Sequence, residues 1–261
     1  MATLFLVRHG RTQANADGVL AGWTAGVALD DVGRKQAENL GGRFGTIPVR
    51  GLVTSPLDRC QQTAEAVTAL DGRPEAVVDE RLGEVRYGDW QGQPLKKLAK
   101  DPLWKVVQQH PSGVTFPGEG GESLRSMADR AVTAVREWDA RIEAEHGPDA
   151  IWVAVSHGDV IKAIVADALG VHLDQFQRIM IDPCSVSVVR YAPLQTFVLR
   201  VNDTGSDLAA LVPPRRRRRR TRRGSGDSDA VVGGGAGGDG GGRRHDRPTT
   251  GTDGTDAAPT A

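Results

Sequence analysis

Short, continuously apolar runs alternate along the chain with segments whose apolar residues recur every three or four positions. The runs are Leu4-Phe5-Leu6-Val7, residues 51–54, Ala76-Val77-Val78 and Ile151-Trp152-Val153-Ala154-Val155. In the first and last of these, unbroken hydrophobicity fits a strand buried on both faces; the other two read as brief strands. Between them, Val32, Gln36, Ala37, Leu40 and Phe44 follow an Asp30 cap with helical spacing. Gly33, Gly41 and Gly42 weaken that helix and point either to close packing or to fraying. A second helix runs through Leu57, Gln61, Ala64 and Val67, with Ser55 as its cap and Pro56 at its first position. The longest starts at a Ser123 cap and carries Leu124, Met127, Ala131, Val135, Trp138 and Ile142 on one face. Residues 158–169 form another, and Thr12 to Asp17 a single turn. Residues 81–117 are irregular, with short helices predicted at 95–99 and 103–109; an insertion of that length is more often functional than idle. Residues 184–191 and 196–201 read as two strands joined at Ala192-Pro193, a hairpin at a sheet edge. Strands alternating with helices predict an α/β fold, a mainly parallel sheet covered on both faces.

The pattern stops near Gly205. Six consecutive arginines begin at Arg215, Arg222 and Arg223 follow, and ten glycines lie between Gly224 and Gly242. Such a segment cannot bury apolar surface, so the expected division is a folded domain over 1–205 and a disordered Arg/Gly-rich tail over 206–261. The 261 residues sum to zero formal charge. From Pro213 onward there are 11 arginines against 6 aspartates, leaving 22 basic and 27 acidic residues before it. The body is therefore mildly acidic and the tail basic. Arginines at 215–223 could meet nucleic acid or an anionic surface, but no aromatic residues are interleaved for stacking, which favours a plain solvated tail. Two cysteines, Cys60 and Cys184, make neither a disulfide framework nor a zinc site. No signal peptide or membrane-length apolar run is evident, so a cytoplasmic location is expected.

Candidate chemistry collects at strand ends. The first run ends in Arg8-His9-Gly10 and the fourth in Ser156-His157-Gly158, the same order of strand, histidine, glycine and helix. Arg59 follows the second strand in the first turn of its helix. In open α/β sheets ligands bind beyond the carboxyl ends of strands. Two imidazoles and two guanidiniums there are what holding and attacking a phosphoryl group requires. Each residue taken singly has a bland reading: a strand-end histidine held by hydrogen bonds, or a solvated arginine. The repetition turns the balance.

With these pieces in order the chain resembles the histidine phosphatase superfamily, the phosphoglycerate mutase-like proteins, in a bacterial small-molecule branch. The matching stretches are Arg8-His9-Gly10-Arg11-Thr12-Gln13-Ala14-Asn15, residues 55–64, Leu82-Gly83-Glu84-Val85-Arg86-Tyr87-Gly88-Asp89-Trp90-Gln91-Gly92, Gly121-Glu122-Ser123 and Ser156-His157-Gly158. The resemblance covers about residues 2–200 and implies a three-layer α/β/α sandwich. It implies His9 as the nucleophile and Glu84 as proton donor and later base. Arg8, Arg59 and His157, the last in charged form, would surround the phosphoryl oxygens, with Asn15 and Gly158 also binding substrate. Tyr87 and Trp90 are either core or pocket wall. Arg11 and Gln91 stand where the family often has other residues, which bears on the substrate. The implied activity is metal-independent hydrolysis of a small phosphomonoester through a phosphohistidine, without a cofactor. The aromatic Gly88-Asp89-Trp90 form favours that over a phosphoglycerate mutase, and retention of Glu84 over a non-catalytic phosphate-binding module. The identity of the ester and the oligomeric state are not written in these motifs.

Overall fold

The computed structural model describes residues 2–205 and Gly233. In chain order the elements are β1 (Thr3–Arg8), α1 (Gln13–Asp17), α2 (Asp31–Phe44), β2 (Val49–Thr54), α3 (Asp58–Thr68) and β3 (Ala76–Val78). After them come α4 (Leu95–Leu98), α5 (Pro102–Gln109), α6 (Leu124–His146), β4 (Ile151–Ser156), α7 (Gly158–Ala168), β5 (Val186–Tyr191) and β6 (Thr196–Asp203). The strands make one sheet in the order β3-β2-β4-β1-β5-β6. The first four are mutually parallel, and β5 and β6 close the far edge as the expected antiparallel hairpin. The expected tail over 206–261 lies outside the described residues, Gly233 excepted.

The pleat sends alternate residues of the central strands into two separate cores. Leu4, Leu6, Trp152 and Ala154 meet the buried faces of α6 and α7. Val7, Val153 and Val155 meet those of α2 and α3. The result is the three-layer sandwich, and it explains why these strands read as unbroken apolar runs. Val7 pairs with Val155 and Thr54 with Val155, so β1, β4 and β2 end at one level. That common level is what brings three distant stretches of sequence together.

Two local expectations change. Residues 55–57 precede α3 instead of opening it: Leu57 is the cap residue and its side chain has no acceptor, while the Ser55 hydroxyl faces His157 and accepts the Leu57 N–H (3.3 Å). Val32 is 40% exposed, and the buried stripe of α2 runs instead through Gly33, Ala37, Leu40, Gly41 and Phe44. At Gly33 and Gly41 the reason is close packing. A Cβ on Gly41 would lie 2.5 Å from the Ala66 carbonyl oxygen of α3.

Candidate active site

Past Arg8 the chain leaves the sheet, and its loop is fixed from three sides. The His9 N–H donates to the Ser156 carbonyl at the end of β4 (3.0 Å), and the Cys184 N–H donates to the Arg8 carbonyl (3.1 Å). The Gly10 N–H donates to Thr63 Oγ1 (3.0 Å), whose hydroxyl donates to the Arg59 carbonyl (2.7 Å). From the fourth direction α2 presses its amino end against the loop. A Cβ on Gly10 would stand 2.7 Å from the Gly33 carbonyl oxygen, and one on Gly33 would stand 2.0 Å from that of Arg11. Arg11 itself donates from Nε to the Asp30 cap (2.8 Å) and so pins this contact.

His9 is buried, with Nδ1 2.7 Å from the Gly10 carbonyl oxygen. A carbonyl only accepts, so the proton sits on Nδ1 and the lone pair on Nε2. Burial first, then the Arg59 and Arg8 charges, hold its pKa well below the ordinary histidine value. Arg59 Nε lies 3.3 Å from His9 Nε2, and its Nη2 donates to the Gly22 carbonyl (2.9 Å). His157 lies across from His9, ring centres 5.2 Å apart. Its Nε2 is 2.8 Å from Ser55 Oγ, and its Nδ1 is 3.2 Å from Arg59 Nη2 and 3.8 Å from Glu84 Oε2. The charged His157 of the sequence reading is not met here. Burial first, then Arg59, His9 and Arg8, hold its pKa well below the usual value, so it rests neutral.

Glu84 is 3% exposed and accepts the Val85 N–H at Oε1 (3.0 Å). Burial and then the Asp159 charge, against the opposing pull of Arg59 and Arg8, raise its pKa to about 7. A carboxyl group so placed can hold a proton at neutral pH and also give it up. Arg130 of α6 positions this loop, donating from Nη2 to the Glu84 carbonyl (2.9 Å) and from Nη1 to those of Gly83 and Arg81 (2.8 and 2.7 Å). Its ion pair with Glu122 at 2.6 Å explains why Gly121-Glu122-Ser123 belongs to the pattern. The Trp23 indole N–H also donates to the Glu84 carbonyl (2.6 Å). Gln91 Oε1 accepts from the Trp23 N–H (3.0 Å), so this departure from the family pattern serves the same loop.

His9, Asn15, Arg59 and Glu84 line one cavity. Apolar Val19, Leu20 and Leu95 form part of its outer wall. Arg8, His157 and Gly158 are buried behind that lining, Arg8 with Nη1 on the Ile181 carbonyl (2.8 Å) and Gly158 as the first residue of α7. Asn15 accepts at Oδ1 from the Thr12 N–H (3.1 Å) and hydroxyl (3.0 Å), a reciprocal cap of α1, which leaves its amide N–H groups as its means of meeting an anion. Tyr87 and Trp90 resolve as core: Trp90 stacks on Trp104 and packs edge-on to Phe116, and the Tyr87 hydroxyl donates to Asp159 (3.1 Å). Ser123 caps α6 as read. Both cysteines are free and buried. Cys60 Sγ lies 3.4 Å from His157 Nε2, but burial pushes its thiol up to about 12, so it stays protonated and is no rival nucleophile.

Sequence reasoning missed Ser55, Arg130 and Asp159. Arg130 had one available signal, a cation next to Ala131 beside the apolar face of α6. Asp159 had one also, an acid among the apolar residues of the fully buried α7.

Known proteins are similar to this chain in sequence and in fold. Phosphoglycerate mutase-like protein 4 of Arabidopsis thaliana is 34% identical over 166 residues, 62% of this chain and 69% of that protein. Glucosyl-3-phosphoglycerate phosphatase of Mycolicibacterium vanbaalenii is 32% identical over 181 residues, 66% and 76% of the two chains. The solved structure of a mycobacterial glucosyl-3-phosphoglycerate phosphatase in complex with VO3 superposes with a TM-score of 0.68 at 27% identity, over 77% of this chain and 98% of that one. The pattern of the Histidine phosphatase superfamily (branch 1) matches residues 4–204, which takes in every strand end described above. With that match covering well over half of its length, this chain belongs to the histidine phosphatase superfamily.

Proposed function

We propose that the protein hydrolyses a small phosphomonoester through a phosphohistidine on His9. The observation that carries this is the pairing, in one cavity, of a neutral imidazole, whose Nε2 lone pair meets a long contact from the Arg59 Nε–H that an incoming phosphoryl group can take over, and a buried carboxyl group of pKa about 7. In the first step His9 Nε2 attacks phosphorus, the ester P–O bond breaks, and Glu84 gives its proton to the departing alkoxide. In the second, a water loses its proton to the Glu84 carboxylate and attacks the phosphohistidine, releasing inorganic phosphate. Arg8 and Arg59 offset the charge on the equatorial oxygens. His157 donates to those oxygens once an anion offsets the positive field that keeps it neutral. Asn15 and the first backbone N–H groups of α7, from Gly158 onward, complete the cradle.

Hydrolysis is favoured over mutase chemistry by the walls. A mutase must hold a second anionic group beyond the phosphoryl site, yet among the described residues that line this cavity Arg59 is the one cation, and it belongs to the phosphoryl end. The test is a panel of phosphomonoesters scored for phosphate release, with 3-phosphoglycerate interconversion followed in parallel. Release from several esters, and an acid-labile, alkali-stable phosphoryl group on the quenched enzyme, are expected. His9→Ala should lose both, with kcat lower by at least about 10³-fold. Interconversion with little release would overturn hydrolysis as the reaction.

A further inference from the structure

One buried carboxylate beside the cavity has entered the chemistry above only through its charge, which helps to raise the Glu84 pKa. Asp159, in the first turn of α7, is 1% exposed. Its Oδ1 pairs with Lys162 Nζ at 3.2 Å, and Lys162 in turn donates to Gln177 Oε1 (3.0 Å). Its Oδ2 takes the Tyr87 hydroxyl at 3.1 Å and one further donor. That donor is the backbone N–H of Gly233, 2.9 Å away, a residue 28 positions beyond Gly205 in sequence that lines the same cavity as His9 and Glu84. The Gly233 carbonyl oxygen faces Arg8 Nη2 at 3.5 Å. One residue thus spans from Asp159 to Arg8. The seat favours glycine, because φ is +76° and a Cβ would lie 2.8 Å from Leu20 Cδ1. The space left in the cavity is about 30 Å³, room for a water molecule or two.

We propose that Asp159 reads the leaving group: its Oδ2 accepts a hydrogen bond from a hydroxyl or ammonium group on the alcohol side of the ester, in the seat that Gly233 takes here. The inference rests on the phosphomonoesterase reading above and deepens it. Three features fit. Asp159 is held rigidly by Lys162 and Tyr87, so its acceptor is fixed in direction before a ligand arrives. With its Oδ2 an acceptor only, Asp159 offers no donor to a carboxylate or second phosphate on the leaving group. A buried acceptor also discriminates strongly, since an analogue without the donor leaves the carboxylate short of a partner it would otherwise find in water. The favoured substrates are therefore phosphate esters of polyols or amino alcohols. Gly233 must leave before such an ester enters, so the tail competes with substrate.

The experiment compares kcat/KM of the full chain for 2-hydroxyethyl phosphate and 2-aminoethyl phosphate with that for ethyl phosphate, and uses 4-nitrophenyl phosphate as a general probe. At least one donor-bearing ester should exceed ethyl phosphate by about tenfold or more. Asp159→Leu alone would strand the Lys162 charge, so the informative variant is Asp159→Leu with Lys162→Gln, which removes the acceptor that an Asn would keep; its ratio should fall to within about twofold of unity. Reading the ratio within each enzyme cancels any change in Glu84. In the full chain Gly233→Val, which cannot occupy the seat, should lower KM for the preferred ester. Equal kcat/KM for all three alkyl esters in the wild type, or a preference that survives the double variant, would overturn the role of Asp159 and leave the phosphatase reading intact. No phosphate release from any ester, 4-nitrophenyl phosphate included, would instead overturn the parent reading.

Discussion

Glu84 is the residue on which the chemistry and the stability of the fold oppose each other. Its pKa rises from an ordinary 4.5 to about 7 in the folded chain. Between those values the folded state keeps a proton that the unfolded state has lost, so the stability due to Glu84 is full below pH 4.5 and is lost as pH rises through 7. The loss is about 3 kcal/mol. Glu84→Gln should therefore be more stable than the wild type by roughly that amount at pH 8 and no more stable at pH 4.5, read from urea denaturation at both. The same substitution should lower kcat for an alkyl ester about 10²–10⁴-fold. Wild-type kcat/KM for alkyl esters should fall as pH rises above about 7, while 4-nitrophenyl phosphate, whose leaving group needs no proton, should show a weaker decline; equal declines would remove Glu84 as the acid. At this scale the sequence shows the principals and hides their supports. His9, Arg59, Glu84 and His157 stand in recognisable local patterns. Ser55, Arg130 and Asp159 act through contacts 102, 46 and 72 residues distant in sequence, and what marks Arg130 and Asp159 locally, a charge beside or among apolar positions, does not say what they touch.

At the scale of elements, the nucleophile loop depends on how closely α2 can approach it. Gly33 faces the Arg11 carbonyl, so Gly33→Ala must push the helix or the loop away and should cost about 1–3 kcal/mol while also lowering kcat. Gly42, on the exposed side of the same helix, has nothing within 4 Å of its Cβ position. Gly42→Ala should instead stabilise by about 0.4–1 kcal/mol without altering kcat. A thermal-melt and rate comparison of the two separates packing at the site from helix propensity, and equal effects would mean the contact does not matter. The apolar spacing of α2 was legible, as were its Asp30 cap and the long face of α6. What the spacing could not convey was which glycines face a neighbour and which face water. Propensity treats Gly33 and Gly42 alike, because the difference lies in another segment's backbone. The shift at Ser55 has a similar origin: a Ser-Pro pair ahead of a helix has the form of a cap, but here the hydroxyl serves His157.

For the whole molecule, the layer order followed from periodicity because a sheet covered on both faces leaves continuous apolar strands, and the three coincident strand ends follow from its parallel register. The expected separation of tail from domain is qualified at one residue, since Gly233 reaches the cavity. No local pattern predicts that contact, for glycine carries no side chain to announce a partner. The charge distribution at the site then decides how the molecule handles a dianion. Arg59, on the lining of the cavity where His9 sits, and Arg8, buried behind it, supply positive charge of the kind that a metal ion supplies in metal-dependent phosphoesterases. Among the described residues no group of three or more His, Cys, Asp or Glu side chains is placed to hold a metal ion. Glu84, the one carboxylate on the cavity lining, has a pKa near neutrality and so offers a poor resident charge for a cation. Turnover should therefore be unchanged after exhaustive dialysis against a chelator, whereas Arg59→Lys, which keeps the charge but loses the fork that also bonds Gly22 and His157, should lower kcat/KM about 10²-fold. Activity lost to the chelator and restored by a divalent cation would mean that the guanidiniums do not carry the charge of the transferring group.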